Sequence, residues 1–393
     1  MCEVNRSGSV QSMKTAELPR VEVERQYSDV RLLAESSGVQ VFSARPLQPG
    51  ASCVALKCLH KDTTKKKDFL REFNYNLLLS SHHNIVKCFD EPFETGTSYA
   101  FTQELAPLNN LSKYLRRGGL GETRAKRVGE QVAQALEFMH QRDLVHRDVC
   151  LENILVFDRE LSRVKLGDFG STQEAGALVK KLKVRSPWAP PEVSVAVYNE
   201  GYHVHSGQDA WQLGILIFLC LTGSYPWSSA DITDRHYNSW VAWLKRKTTK
   251  VPLRFTCFTP RLLRLLRRLL EPKPEKRTGV REVFKYLSDH WLVDDLESSS
   301  IKKDGKLSKL LSNSTKSLFT RMEIKLIELL RSHLHDEDVQ PRPVGKKRVR
   351  FSFDAESVTE AAVTDARKAS DAGYVSDADD VSDTDAAGDV TPA

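Results

Sequence analysis

No stretch of this chain stays apolar long enough to cross a bilayer. The longest such run, LGILIFLCL at 213–221, falls well short of the roughly 20 residues a spanning helix needs. The opening MCEVNRSGSV has no apolar core of the kind a secretory leader carries. Cysteines are few and scattered. The seven, at 2, 53, 58, 88, 150, 220 and 257, are odd in number and form no Cys-x-x-Cys pair. That excludes a zinc ribbon, a dithiol redox couple and a disulfide framework, and reads them as reduced thiols of a soluble, intracellular protein. No glycine follows the initiator Met and no second lipidation signal accompanies Cys2, so an unmodified residue is expected there. Internal repeats are also missing. Basic residues are spread over many segments without an aromatic platform or a recognised module, which argues against a nucleic-acid partner.

What is present is a chain of 393 residues with 40% hydrophobic and 28% charged residues, enough for one large core or two smaller ones. Its net charge of +6 conceals a division. From Ser352 onward eleven acidic residues face two basic ones, a balance of −9, so the preceding body carries about +15.

Residues 1–26 are polar and expected to be mobile. Period-two runs follow, YSDVRLLAE, VQVFSARP and SCVALKCLH, separated by Ser/Gly and Pro/Gly turns, and these predict consecutive strands. KKKDFLREFNYNLLL sets Phe69, Phe73, Asn76 and Leu77 at helical spacing, and NIVKCFD and SYAFTQEL predict two more strands. After Pro107 the rhythm lengthens into helices: AKRVGEQVAQALEFMHQ, the apolar stretch at 210–221, PRLLRLLRRLL and REVFKYLSDHWL. A small sheet-rich unit followed by a larger helical one makes an α+β fold, with any shared ligand expected in the cleft between them. Beyond about residue 297 the composition drifts to Ser, Lys, Asp and Ala, and after about 340 no packed core is expected.

The chemistry lies in spaced motifs. VALK at 54–57 ends a strand on Lys57, with Glu72 fifteen residues on in the helix; such a pair can hold the α- and β-phosphates of a nucleotide. HRDVCLEN supplies Asp148, able to accept the proton of an attacking hydroxyl, and Asn153, a neutral oxygen ligand for magnesium. DFG at 168–170 adds Asp168, whose carboxylate can bridge the metal to phosphate oxygens. Taken singly, Lys57 reads as a solvated strand charge, Glu72 as a helix-face ion-pair partner, and the others as loop and turn residues. Together, in this order and spacing, they match what magnesium-assisted transfer of a γ-phosphoryl group requires.

From about Tyr27 to Leu292 the chain resembles the eukaryotic protein kinase family. SPWAPPEV supplies the glutamate Glu192, GQDAWQLG the helix aspartate Asp209 that braces the catalytic loop, and PEKRTGV the arginine Arg277 that pairs with that glutamate; LTGSYPW also matches. FLREFN, LVHRD and FDRELSRVKLGDFG look most like the SH3-domain-binding serine/threonine kinases, whose named member has a proline-rich tail not seen here. The resemblance implies a bilobal fold over 27–295, with an N-lobe at 27–106 and a C-lobe at 107–295, followed by a tail at 296–393. It also implies ATP and Mg2+ as cofactors and protein hydroxyls as substrates. The implied ATP site comprises the loop Leu33, Ala34, Glu35, Ser36, Ser37, Gly38, Val39, Gln40 and Val41, then Ala55 and Lys57, and the hinge residues Glu104 and Ala106 behind a gatekeeper Gln103. The implied catalytic set is Asp148, Lys57, Glu72, Asn153 and Asp168, with Asn153 and Asp168 on the metal.

The departures concern the phosphates. Where the family carries three loop glycines, this chain has Ala34, Ser36 and Val39, keeping only Gly38 and the final Val41, so phosphate cradling is expected to be looser. The lysine two residues after the catalytic Asp is Cys150, and the threonine it bonds with aligns with Arg185. Either Arg185 supplies the missing charge from the opposite wall, or the domain is a pseudokinase that still binds nucleotide. A reactive thiolate at Cys150 beside Arg185 is a third reading.

Arg147 receives a loop phosphate in many family members, yet the only hydroxyls between Asp168 and Glu192 are Ser171, Thr172 and Ser186. Lys180, Lys181, Lys183 and Arg185 fill the middle, so no phosphate switch is expected in this segment. In the tail, SLFTRMEIKLIELLRSHL at 317–334 sets Leu318, Met322, Leu326, Leu329 and Leu330 near helical spacing and predicts an amphipathic helix. KKRVRFSFD at 346–354 resembles the R-V-x-F docking motif for protein phosphatase 1, with Val349 and Phe351 entering apolar pockets along an added strand; a basic nuclear-localisation patch is the competing reading. If docking is real, Ser352 could gate it. Ser376 and Ser382 precede acidic residues, a pattern acidophilic kinases accept. The expected location is the cytoplasm, with the nucleus open through the basic patch.

Overall fold

The β-branched and aromatic alternation of residues 27–60 forms the strands that its period of two dictates. A computed structural model describes residues 17–89, 91–180, 187–196 and 201–293. A short helix α1 (Val23–Gln26) leads into β1 (Tyr27–Ser36), β2 (Val39–Pro46) and β3 (Val54–His60), followed by helix α2 (Lys66–Leu79), β4 (Phe93–Glu94) and β5 (Ser98–Glu104). The five strands form one sheet in the order β1-β2-β3-β5-β4, antiparallel throughout. Val41 therefore lies across from Lys57, and Ala55 across from Gln103. The loop strand, the lysine strand and the hinge strand run side by side.

Two expectations for this lobe need correction. NIVKCFD is not a strand; it contributes only isolated bridges, Ile85 to Leu166 and Cys88 to Gln103. Ile85 and Val86 are fully buried in the core that joins the lobes, so their hydrophobicity reflects packing rather than a ladder. Nor are residues 17–26 loose. The Val21 N–H bonds to the Glu94 carbonyl (2.8 Å), the Glu94 N–H bonds back to Pro19 (2.9 Å), and Val23 is buried, because Val21 and Val23 cover the open side of the sheet core.

The larger lobe holds α3 (Glu122–His140), β6 (Leu144–Val145), β7 (Ile154–Val156), β8 (Val164–Leu166), β9 (Gln173–Glu174), β10 (Leu178–Lys180), α4 (Pro191–Val195), β11 (Gly201–His203), α5 (Gly207–Thr222), α6 (Arg235–Leu244) and α7 (Pro260–Leu269). Helix α5 explains the apolar run at 213–221: it is buried on every face, packing against α3 and α7. Its C-terminal Gly223 takes φ +75°, and a Cβ there would meet the Arg116 carbonyl at 2.2 Å, so only glycine closes this turn. Asp234 caps α6 and Thr259 caps α7 through their side chains. REVFKYLSDHWL, predicted as helical, contributes to a 3-10 helix over Val280–Tyr286, with Val280, Val283 and Tyr286 facing the core at the three-residue repeat of that helix.

Candidate active site

Four short loops and one buried lysine build the site. Lys57 ends its run on β3 with its ammonium 2.7 Å from Glu72 Oε1 on α2 and 3.0 Å from Asp168 Oδ1. Lys57 and Glu72 are buried, whereas the Asp168 side chain is 47% exposed at the cleft. Burial would push the Lys57 ammonium down, but the Asp168 and Glu72 carboxylates outweigh it and hold it above the usual lysine range. Lys57 holds Asp168 below the ordinary carboxylate range, while burial lifts Glu72 despite its partner. The lysine thus remains a cation with charge to share.

Asp148 and Asn153, five apart in sequence, meet through the 3-10 turn Leu151–Asn153. Asn153 Nδ2 donates to the Asp148 carbonyl (2.9 Å) and to its Oδ2 (3.0 Å). The Asn153 side-chain oxygen and the Asp168 carboxylate are then hard-oxygen donors that fit magnesium, which keeps few protein ligands and completes its shell from phosphates and water. Among the described residues no group of three or more His, Cys, Asp and Glu converges on a metal position.

Behind this loop, Asp209 accepts the backbone N–H groups of His146 (2.8 Å) and Arg147 (2.7 Å) and lies 2.9 Å from His140 Nε2. Burial would raise the Asp209 carboxyl, but His140 and these donors hold it low, so a full negative charge anchors the catalytic loop. Gln212, one turn on in α5, holds the same loop, accepting from the Val149 N–H (2.9 Å) and donating to the Arg147 carbonyl (2.8 Å). The bracing is needed because Arg147 and Asp168 both sit at positive φ, +70° and +62°, a conformation costly for residues with a Cβ. Arg277 grips Glu192 with two parallel bonds (2.8 and 2.9 Å), fixing the far end of the segment that faces the site.

The loop Leu33–Val41 is a two-residue hairpin: Ser36 pairs with Val39, and Ser37-Gly38 form the turn, with Gly38 at φ +77°. Ala34, Ser36 and Val39 all keep strand backbone, so none is asked for the positive φ that would favour glycine. At the hinge, the buried Gln103 amide donates to Asn76 Oδ1 (2.6 Å), and the Glu104 carboxylate is committed to Lys165 and to the Lys87 N–H.

The reading of Cys150 as a reactive thiolate fails. The residue is only 7% exposed, and burial, with Asp148 close by, pushes its thiol far up. Native protein treated with iodoacetamide near neutral pH is expected to label the exposed Cys257 while Cys150 stays unmodified in the peptide mass map; early alkylation at 150 would contradict the burial. Arg185, with Lys181, Lys183 and Ser186, lies outside the described residues, as do Cys2, the helix expected at 317–334, Ser376, Ser382, and Val349 and Phe351.

Three functional contacts escaped sequence reasoning. Gln212 is one. Arg147 is another case, since its guanidinium is already engaged, donating to the Ser171 carbonyl (2.7 Å) and the Tyr202 hydroxyl (2.7 Å), with Tyr202 brought in by the β10-β11 pairing. The third is Trp188, whose indole N–H donates to Asp148 Oδ1 at 3.1 Å. No local motif could announce these, because each partner lies 24 to 65 residues away in sequence.

The sheet-over-helices fold, with a lysine, a glutamate and two aspartates gathered at the cleft, defines a phosphoryl-transfer class. The chain belongs to the protein kinase family: the family model for a protein kinase domain matches residues 27–291. Its relatives include serine/threonine-protein kinase meng-po of Drosophila melanogaster, 40% identical over 297 residues, covering 75% of this chain and 65% of the fly protein. Serine/threonine-protein kinase SBK1 of Danio rerio is 40% identical over 278 residues (70% of this chain, 72% of that protein), and its Mus musculus counterpart 39% over 288 (73% and 69%). Within the family the likeness is thus to the SH3-binding kinases.

Proposed function

We propose that this protein transfers the γ-phosphoryl group of ATP to serine or threonine hydroxyls of protein substrates. The observation that carries this reading is the single ammonium of Lys57 held at once by Glu72 (2.7 Å) and Asp168 (3.0 Å), an arrangement with no structural use that two buried apolar residues would not serve better. Mg-ATP, when bound, supplies the phosphoryl group and the neutralising metal. Lys57 orients the α- and β-phosphates, Asn153 and Asp168 offer metal ligands, and Asp148 accepts the proton of the attacking hydroxyl. The hairpin Leu33–Val41 covers the nucleotide together with Ala55, and the adenine is read by backbone groups of Glu104 and Ala106, since the Glu104 carboxylate is already bound.

A second reading, a catalytically silent scaffold, is favoured by one observation: the residue two after Asp148 is a buried neutral thiol that brings no charge to the γ-phosphate. In that case the tail at 346–354 would recruit protein phosphatase 1 through Val349 and Phe351, a proposal resting on sequence. Incubating the purified chain with γ-labelled Mg-ATP and a mixed peptide library separates the two. Incorporation on Ser or Thr that disappears in Asp148→Asn supports the kinase; a folded protein no better than that variant supports the scaffold.

A further inference from the structure

We propose that Trp188 is a positioning residue for the proposed phosphoryl transfer, holding the catalytic carboxylate in place of the charged neighbour that Cys150 cannot be. The proposal rests on the kinase reading above. Asp148 receives one donor on each carboxylate oxygen: the Asn153 amide at Oδ2 (3.0 Å) and the Trp188 indole at Oδ1 (3.1 Å). Two donors on opposite oxygens fix the rotation of the carboxylate about its last bond. Each oxygen keeps a further lone pair for an incoming hydroxyl. Cys150, two residues from Asp148, is buried and offers only a weak neutral S–H. The function of orienting Asp148 therefore passes to a residue 40 positions away.

The indole is itself held. Its ring stacks on Tyr225 (centroids 6.1 Å apart, planes at 29°), and the Tyr225 carbonyl accepts from Arg254 (2.7 Å). Four residues after Trp188, the Arg277–Glu192 pair ties the same segment to the C-lobe. A donor whose ring is stacked in place and whose segment is anchored nearby costs little to hold in position when substrate arrives, which is what separates a positioning contact from an incidental one.

Trp188→Phe keeps a ring to stack on Tyr225 and removes only the donor. A lost bond to a charged acceptor predicts a fall in kcat of about tenfold or more. KM for ATP should stay within about twofold, because the indole's partners, Asp148 and Tyr225, belong to the larger lobe. An unchanged kcat in Trp188→Phe, or a KM for ATP that rises as kcat falls, overturns the proposal. A readout independent of activity is the indole 1H–15N resonance of Trp188, assigned in the wild-type protein through its sequential and side-chain connectivities. In Asp148→Asn it should move markedly, and an unmoved resonance refutes the contact even if Trp188→Phe fails to fold. Wild-type protein that transfers no phosphate would sink the kinase reading and the catalytic role together, while the resonance still reports whether the indole holds Asp148.

Discussion

Lys57→Met is expected to reduce phosphate transfer by about a thousandfold and to destabilise the fold by about 3 kcal/mol. The two losses have different origins. Transfer falls because the cation that Asp168 and the phosphates would share is gone, and methionine replaces its reach but not its charge. Stability falls because Glu72, buried beside Phe73 and Tyr75 on α2, keeps a carboxylate with no counter-ion. Burial already lifts the Glu72 carboxyl above the ordinary range, and losing Lys57 lifts it further. A carboxyl whose folded pKa lies above its unfolded value binds a proton more readily when folded, so its stabilising contribution is complete below the unfolded value and lost as pH rises. The deficit of Lys57→Met should therefore be largest near neutrality and shrink as pH approaches 5, read from Tm across pH. Adding Glu72→Leu should recover most of the stability and none of the activity. A double variant that recovers both would show that the pair is structural only.

Arg277→Ala should cost about 3 to 5 kcal/mol, measured by denaturant unfolding, and should depress activity through the segment it anchors. Arg277 binds both oxygens of Glu192, donates to the Gly207 and Glu271 carbonyls, and lies over the Trp211 ring at 5.0 Å, so its removal opens several buried bonds at once. The pH dependence gives the test its sign. Burial would raise the Glu192 carboxyl, but the bonds from Arg277 and His205 bring it down to about 2. A depressed carboxyl stabilises the fold fully above its unfolded value and loses that contribution as pH falls toward the folded one. From pH 5 to 2 wild type should lose about 3 kcal/mol from this source, whereas Arg277→Ala has lost it already, so the gap between them should close on acidification. A gap that stays constant would mean the arginine acts through its carbonyl bonds and its packing on Trp211 rather than through Glu192.

Tyr202 engages the cation that a phosphate switch in the activation segment would use. The reading of the activation segment rested on its lack of suitable hydroxyls. In the structure, Arg147, the cation such a phosphate would neutralise, is already bonded to the Tyr202 hydroxyl and the Ser171 carbonyl. Both of these partners of Arg147 are neutral.

Elements whose pattern repeats over many residues were legible before any coordinates. Strands β1–β3 follow from alternation, and α2, α3 and α7 from apolar spacing that one face of a helix can bury. The same holds for Lys57, Glu72, Asp148, Asn153 and Asp168, because the order of motifs along a chain survives folding and their chemistry is carried by residue type. NIVKCFD misled because a short apolar run says only that side chains are buried, not which backbone buries them. Cys150 read as a reactive place because the sequence alignment set the cationic Arg185 beside it where a lysine–threonine pair is usual. Its neighbours in space bury it, and burial favours the neutral thiol. The inventory of phosphoryl-transfer groups, then, belongs to the linear chain. Which donor holds Asp148, what occupies Arg147, and how Asp209 and Gln212 brace a strained loop belong to the fold. Each of those bonds joins residues 24 to 65 positions apart, and hydrogen bonds form only where packing brings donor and acceptor within about 3 Å.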